Sequence, residues 1–323
     1  MLNKQPLICF LDRGSLPSHI QFPPLKMDFD WEEYDSTDHE KIIDRAINAQ
    51  VVISTKVQLT AKVLSELKNL KLVVLASTGT NQIDLDYCKK NNIAVANIRD
   101  YAVNSVPEHV LGLMIMLKRS LYNFHNSVIE NSWFSDGTKC SIQFPMSDLS
   151  GSTLGIIGNG SIGRSLAKLS SSLGMNVIVS ERKGLSKCRP GYHPFNYMIS
   201  KSDIISLHCP LNKETENLIS RSEFSLMKEN AILINTSRGG IVNENDLIFA
   251  LKNKEIAGAG LDVFESEPMT QDSPLFINRN LDNLILTPHV AWGSDTALHN
   301  LSAQIISNID SFYSGLFTNR CDI

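Results

Sequence analysis

This chain offers no disulfide framework and no metal-ligand spacing. Its six cysteines, Cys9, Cys88, Cys140, Cys188, Cys209 and Cys321, form no C-x-x-C pair. They are read as small side chains in a reducing compartment, and no metal site is expected. No run of Lys or Arg stands out and the net charge is −4, so a nucleic-acid partner has no electrostatic basis. The longest apolar helical candidate, residues 110–117, falls far short of the ~20 residues that span a bilayer. The opening residues Met1-Leu2-Asn3-Lys4-Gln5-Pro6 lead into a short apolar strand and do not read as a signal peptide. No internal repeat or low-complexity tract is visible. These absences leave a cytoplasmic protein with no membrane partner as the expectation.

What is present is an ordinary globular composition, 42% hydrophobic and 20% charged over 323 residues, long enough for two domains. Apolar runs at 7–11, 51–54, 72–76 and 93–96 read as strands, with helices expected at 40–49, 61–67 and 83–90. Unbroken apolar strands alternating with helices predict a parallel sheet covered on both faces. A helix over 108–124, apolar almost all round, is expected to be buried between domains or subunits. Its first turn accommodates Pro107, with Ser105 or Val106 outside. Residues 131–150 read as irregular. Further strands are expected at 176–180, 204–207, 231–235, 257–262 and 284–287. A helix over 244–252 follows Asn243 as N-cap.

The last helix, 295–313, carries Leu298, Leu301, Ile305, Ile309 and Phe312 on one stripe but has no sheet of its own. The economical arrangement returns it to the first domain. The fold class is therefore α/β, with two Rossmann- or flavodoxin-like parallel-sheet domains. The substrate domain is discontinuous, 1–104 plus 295–323, and the dinucleotide-binding domain, 105–294, is inserted into it. The active site is expected in a cleft between the two.

The chain is organised around Leu154-Gly155-Ile156-Ile157-Gly158-Asn159-Gly160-Ser161-Ile162-Gly163. An apolar strand precedes this G-x-G-x-x-G turn, and an amphipathic helix with Ile162, Leu166, Leu169 and Leu173 on one face follows it. Gly158 permits the tight turn, Gly160 lets a pyrophosphate approach, and Gly163 lets helix and strand pack closely. Glu181 ends the next strand about 20 residues on, where the fingerprint places an acid on the ribose hydroxyls. That favours NAD, since a carboxylate repels a 2′-phosphate. Arg182 and Lys183 follow at once and keep NADP open as the alternative.

Three segments lie near expected strand ends, where open α/β sheets bind ligands. They are Asn235-Thr236-Ser237-Arg238-Gly239, Asp262-Val263-Phe264-Glu265-Ser266-Glu267-Pro268 and Thr287-Pro288-His289. One guanidinium, one carboxylate and one imidazole suit the reduction of a 2-keto acid. Arg238 holds the carboxylate and polarises the carbonyl. His289 gives and takes the proton. Glu267 holds the other imidazole nitrogen and stabilises its charged form.

With these motifs in this order, the chain resembles the D-isomer-specific 2-hydroxyacid dehydrogenase family, in its glycerate dehydrogenase (hydroxypyruvate reductase) branch, over essentially its whole length. The resemblance implies the discontinuous first domain, a homodimer, and Arg238, Glu267 and His289 as the catalytic set. It implies that Ser77, Thr78 and Gly79 offer backbone N–H groups to the substrate carboxylate. On the dinucleotide it places Ser161, Ile162, Arg182, Thr236, Ser237 and His289, with Asp262 near the nicotinamide carboxamide and His208, Cys209 and Pro210 on the adenine side. The implied substrate pair is hydroxypyruvate and D-glycerate. A D-lactate or glyoxylate reductase and a dinucleotide-sensing corepressor remain alternatives. His109 reads as a packed residue, and Trp292 as either a pocket wall or a core residue. Pro107 and residues 135–148 depart from the family pattern.

Overall fold

The computed structural model describes residues 5–135, 137, 139–185 and 187–322. The first four residues of the N-terminal reading, Met1 to Lys4, lie outside these, as do Asp136 and Thr138 of the stretch read as irregular. The chain forms two compact units, Met1–Tyr101 with Ser294–Ile323, and Ala102–Gly293.

In the first unit β1 (Leu7–Phe10), β2 (Asp30–Glu33), α1 (Ile42–Ala46), β3 (Val51–Ser54), α2 (Ala61–Glu66), β4 (Leu72–Leu75), α3 (Leu85–Lys90) and β5 (Ala94–Ala96) alternate. Their sheet is wholly parallel, in the order β2-β1-β3-β4-β5. This is the flavodoxin-like order. Val51–Ile53 and Leu72–Leu75 are fully buried, as expected of strands covered on both faces. Thr60 and Asp84 start α2 and α3 by accepting from the N–H groups of Val63 and Tyr87. Strand β2 was not expected: Asp-Trp-Glu-Glu carries no apolar run, and three of its four residues are exposed.

The second unit opens with α4 (Ser105–Lys118), α5 (Leu121–Ile129) and α6 (Ser132–Ser135). It continues through β6 (Thr153–Ile157), α7 (Ser161–Ser172), β7 (Asn176–Ser180), β8 (Tyr192–His193), α8 (Phe195–Lys201), β9 (Ile204–Leu207) and α9 (Arg221–Phe224). It ends with β10 (Ile232–Asn235), α10 (Glu244–Lys252), β11 (Gly258–Leu261), α11 (Pro274–Ile277) and β12 (Leu284–Leu286). The parallel sheet runs β12-β11-β10-β9-β6-β7-β8. This is the dinucleotide-fold order, reversing direction between β6 and β9.

The helix expected over 108–124 is two helices. Ser120 breaks it in the left-handed region at φ 49°, where a non-glycine residue needs local support. Its hydroxyl donates to the Pro145 carbonyl at 2.6 Å, and the Ser147 N–H caps the Lys118 carbonyl at 2.8 Å. Both partners lie some 25 residues or more away, beyond the reach of a periodicity argument. Helix α4 also begins at Ser105, so Ser105 and Val106 lie inside it and Pro107 sits in its first turn.

The chain then closes with α12 (Asp295–Tyr313), capped by the Ser294 hydroxyl. In the first unit it packs on β4, burying Leu298, Leu301, Ile305 and Ile309. Each such burial contributes about 1.5–3 kcal/mol before the cost of ordering the chain. Asn308 fixes the register by donating to the Asn97 carbonyl at 3.0 Å.

Candidate active site

The glycine turn sits at the point where the second sheet reverses order. Gly158 adopts φ +100°, and a Cβ there would collide with the His208 carbonyl at the end of β9. A Cβ on Gly163 would collide with the Gly158 carbonyl, so the α7 backbone lies directly on the turn. Gly160 differs: a Cβ there would meet nothing within 4 Å. It is the N-cap of α7, which has no side-chain cap, so the first N–H groups of α7 lack a capping side chain and favour an anion. The Thr236 hydroxyl is buried without a partner. An open glycine edge, an uncapped helix start and an orphaned hydroxyl fit a dinucleotide that brings its own pyrophosphate and polar groups.

His208 is hydrogen-bonded to the Ser206 hydroxyl at 2.8 Å, and burial pushes its imidazole down from 6.5 to about 4. It is therefore a neutral wall residue. Burial also holds the neighbouring Cys209 thiol up at about 11, which makes it a poor nucleophile. The depressed imidazole has a consequence for stability. Below pH 6.5 the unfolded chain takes up a proton that the folded chain refuses until about pH 4. Stability is thus lost as pH falls through that window, by at most about 3 kcal/mol. Melting curves between pH 8 and 4 should show a shallower decline for His208→Gln than for the wild type; equal slopes would remove the assignment.

Glu181 directly follows β7, at the fingerprint position. Its carboxylate is buried and paired within the chain. Oε1 accepts from the Arg182 N–H at 2.9 Å and Arg189 Nη2 at 2.7 Å; Oε2 accepts from the Arg189 N–H at 3.0 Å and Arg189 Nε at 2.8 Å. The Arg189 side chain and backbone, with the Arg182 N–H, hold its pKa at about 2. Lys183 is also diverted: its ammonium pairs with Glu223 at 2.7 Å.

The three other segments follow adjacent strands β10, β11 and β12. After β10, buried Asn235 builds the turn. Its Oδ1 accepts from the N–H and hydroxyl of Ser237 at 3.1 and 2.9 Å, and its Nδ2 donates to the Arg238 carbonyl at 2.9 Å. Among the described residues, the Arg238 guanidinium bonds within the chain only through Nη1, to the Ser237 carbonyl at 2.6 Å. Most of its donor fork is available.

After β11, Asp262 is 1% exposed. It accepts from the Thr287 hydroxyl at 2.6 Å and from the Val290 and Ala291 N–H groups, both at 2.9 Å. It thereby shapes the loop that carries His289. His109 of α4 approaches Thr287 Oγ1 at 3.0 Å through Nε2, so it supports this network instead of merely filling space. Glu267 Oε1 accepts from the Phe264 N–H at 3.2 Å, and Glu267 Oε2 meets His289 Nδ1 at 2.6 Å. Buried Glu244 accepts from the Glu265 N–H at 2.9 Å and fixes the same loop.

After β12, His289 lies at φ +54°, a left-handed conformation costing about 1–3 kcal/mol. The Glu267 contact, the Asp262 bonds to the next two N–H groups, and a 2.9 Å bond from the Trp292 indole to the His289 carbonyl hold it there. Trp292 therefore positions His289 through the backbone.

Ser77, Thr78 and Gly79 follow β4 in the first unit. The Ser77 hydroxyl donates to the Gly79 carbonyl, the Thr78 hydroxyl to the Ile98 carbonyl, and Asn97 Nδ2 to the Thr78 carbonyl. Among the described residues, none of their three N–H groups is engaged within the chain. Sequence reasoning did not single out Asn235, Glu244 or Arg189. Asn235 had a signal, an Asx residue at the end of an apolar strand; the other two had none.

Residues 111–291 match the family described as D-isomer specific 2-hydroxyacid dehydrogenase, NAD binding domain. The chain is 40% identical over 309 residues to glycerate dehydrogenase of Methylorubrum extorquens, covering 95% of this chain and 96% of that one. It is 33% identical over 282 residues to hydroxypyruvate reductase of Blautia hydrogenotrophica, covering 86% and 87%. Among solved structures it is similar to an acyclic imino acid reductase in complex with NADPH and D-Arg, with TM-score 0.83 and 28% identity over 98% of this chain and 99% of that one.

Proposed function

The chain belongs to the D-isomer specific 2-hydroxyacid dehydrogenase family, and from that premise we propose that it interconverts hydroxypyruvate and D-glycerate with NAD(P). The observation that carries the chemistry is the 2.6 Å pair of His289 and Glu267, one strand away from Arg238, whose fork is largely unengaged. A bound nicotinamide supplies or accepts the hydride. Gly158, Gly160, Gly163 and the start of α7 would hold the pyrophosphate, and the Thr236 hydroxyl would find a partner on the same ligand.

Arg238 binds the substrate carboxylate and polarises the adjacent carbonyl. With Nδ1 on Glu267, His289 delivers the proton to the carbonyl oxygen from Nε2, or removes it from the hydroxyl in the reverse direction. Glu267 orients the ring through its contact with Nδ1. The unengaged N–H groups of Ser77, Thr78 and Gly79 are proposed as an anion-binding turn of the first unit. The choice of acid is supported by relatives that carry the names glycerate dehydrogenase and hydroxypyruvate reductase. Among the described residues no helix is long and apolar enough to cross a membrane, and a cytoplasmic location is part of the proposal.

The test is oxidation of reduced coenzyme with hydroxypyruvate, glyoxylate and pyruvate in parallel. A kcat/KM highest for hydroxypyruvate supports the reading. Preference for either other acid reassigns the substrate, and no turnover with any of them overturns the activity.

A homodimer through the second unit belongs to the same proposal. Leu121, Tyr122, Val128, Ile129, Phe134 and Ile142 are 47–77% exposed along α5, α6 and the segment beyond. Exposed apolar area concentrated in this way marks an association surface. Light scattering of the wild type should give the dimer mass, and Ile129→Glu with Phe134→Glu should give the monomer. A monomeric wild type would end this part of the reading.

A further inference from the structure

We infer that the second unit carries a further ligand site, which takes a small organic monoanion with an apolar body and holds its charge on Lys118. The site lies at the end of the sheet remote from Arg238 and His289. It depends on neither the coenzyme nor the keto acid of the proposed function.

A cavity of about 400 Å³ opens beside Asn230, Ala257 and Asn283, which precede β10, β11 and β12. Arg238, Glu267 and His289 follow the opposite ends of the same three strands. Such a volume is in the range of small-molecule sites. One wall is the segment that straps the break between α4 and α5. Its Pro145 carbonyl accepts from the Ser120 hydroxyl at 2.6 Å, and its Ser147 N–H donates to the Lys118 carbonyl at 2.8 Å. Phe144 and Met146 alternate with these two anchors and line the cavity, facing Leu117 of α4, Ile232 of β10 and Ile285 of β12. The walls are therefore apolar and set by backbone bonds.

Lys118 lines this cavity from the last turn of α4 and is 7% exposed. A lysine is rarely so buried unless it is paired, because an ammonium taken out of water needs a partner. Its Nζ has three donors. Among the described residues, the Lys118 ammonium makes no hydrogen bond and no ion pair. An apolar cavity thus contains one buried, unanswered cation.

The neighbouring charges do not answer it. Burial lowers the Lys118 ammonium from the ordinary lysine range; Asp203 opposes that shift and Lys228 adds to it. Asp203 is already committed, with Oδ1 on Lys228 Nζ at 2.8 Å and Oδ2 on the Thr153 N–H at 2.9 Å. The acid in the lining, Asp282, is exposed. A carboxylate seated on Nζ would supply the missing partner while its apolar body covers Phe144, Met146 and Ile285. One ammonium matches one negative charge, and apolar walls disfavour a compact, fully hydrated anion such as phosphate.

The experiment is titration calorimetry of the full chain with benzoate, benzyl alcohol and acetate. Benzoate has both the charge and the apolar body, and each of the others has one of them. The wild type should bind benzoate at least tenfold more tightly than either. Lys118→Met, which keeps the stem and removes the charge, should weaken benzoate by about 10- to 100-fold, the value of a charge-assisted bond. It should leave benzyl alcohol within a few fold. Ala257→Phe, at the exposed margin of the cavity, should weaken both aromatic probes by taking up their space while Lys118 stays. Arg238→Gln should leave benzoate binding unchanged, which separates this site from the carboxylate assigned to Arg238.

A wild type that binds benzoate no better than acetate or benzyl alcohol overturns the inference, and a second copy of the chain filling the cavity would give that result. Benzoate affinity that survives Lys118→Met, or that is lost in Arg238→Gln, places the anion elsewhere and also overturns it. So does a Lys118→Met protein that loses benzoate and benzyl alcohol equally, since that is the signature of a structural role. If Lys118→Met does not fold, Ala257→Phe decides, and unchanged benzoate binding there is the overturning result. No coenzyme or keto acid is present in these titrations. A failure of the proposed substrate would therefore leave this result unaffected.

Discussion

Replacing His289 by glutamine should lower kcat for hydroxypyruvate reduction by about 10³-fold, within the usual range for loss of a general acid. Glutamine still reaches Glu267 but cannot exchange a proton at the far nitrogen. Coenzyme affinity, followed by nucleotide fluorescence, should stay within a few fold, because the glycine turn and α7 lie elsewhere in the unit. Glu267→Gln should fall between this variant and the wild type. It leaves the imidazole in place but removes the carboxylate that meets Nδ1 at 2.6 Å. A kcat for His289→Gln within tenfold of the wild type would mean that the proton comes from another group. His109 would then be the first to examine, since it reaches the same loop through Thr287 at 3.0 Å.

The second large effect is expected at Arg238. The guanidinium makes little use of its donors within the chain, and a bidentate hold on a carboxylate is worth two charge-assisted bonds. At about 1.5–3 kcal/mol each, their loss in Arg238→Gln should reduce kcat/KM by roughly 10²- to 10⁴-fold. Most of this should appear in KM if the fork serves binding alone. A comparable fall in kcat would show that it also polarises the carbonyl as the transition state forms. Arg238→Lys should recover only part, since a point charge does not reproduce the planar fork. Full activity in Arg238→Lys would sink the bidentate role and leave only an electrostatic one.

Particular residues show where sequence reading reaches and where it stops. Asn243 as the cap of a helix over 244–252 and the stripe on the last helix are local patterns, and the elements Glu244–Lys252 and Asp295–Tyr313 have those bounds. The meeting of Glu267 and His289 followed from chemistry, since an imidazole that moves protons needs an acceptor on its other nitrogen. Strand β2 was invisible because an exposed, charged edge strand needs no apolar run. The break at Ser120 was invisible because its support comes from Pro145 and Ser147. Glu181 was legible only in part. Its position in the fingerprint was plain, but its partner was not.

The sequence by itself determined the parallel α/β class, the glycine turn and the chemical types gathered after β10, β11 and β12. All of these are written within windows of a few residues, as period, turn chemistry and strand-end position. Only the tertiary structure decided which acceptors are already satisfied. Asp262 is committed to the Thr287–Ala291 loop, Lys183 to Glu223, and Glu181 to Arg189, while Arg238 keeps most of its donors. A carboxylate's capacity is finite, and which donor fills it depends on how the chain folds back in space.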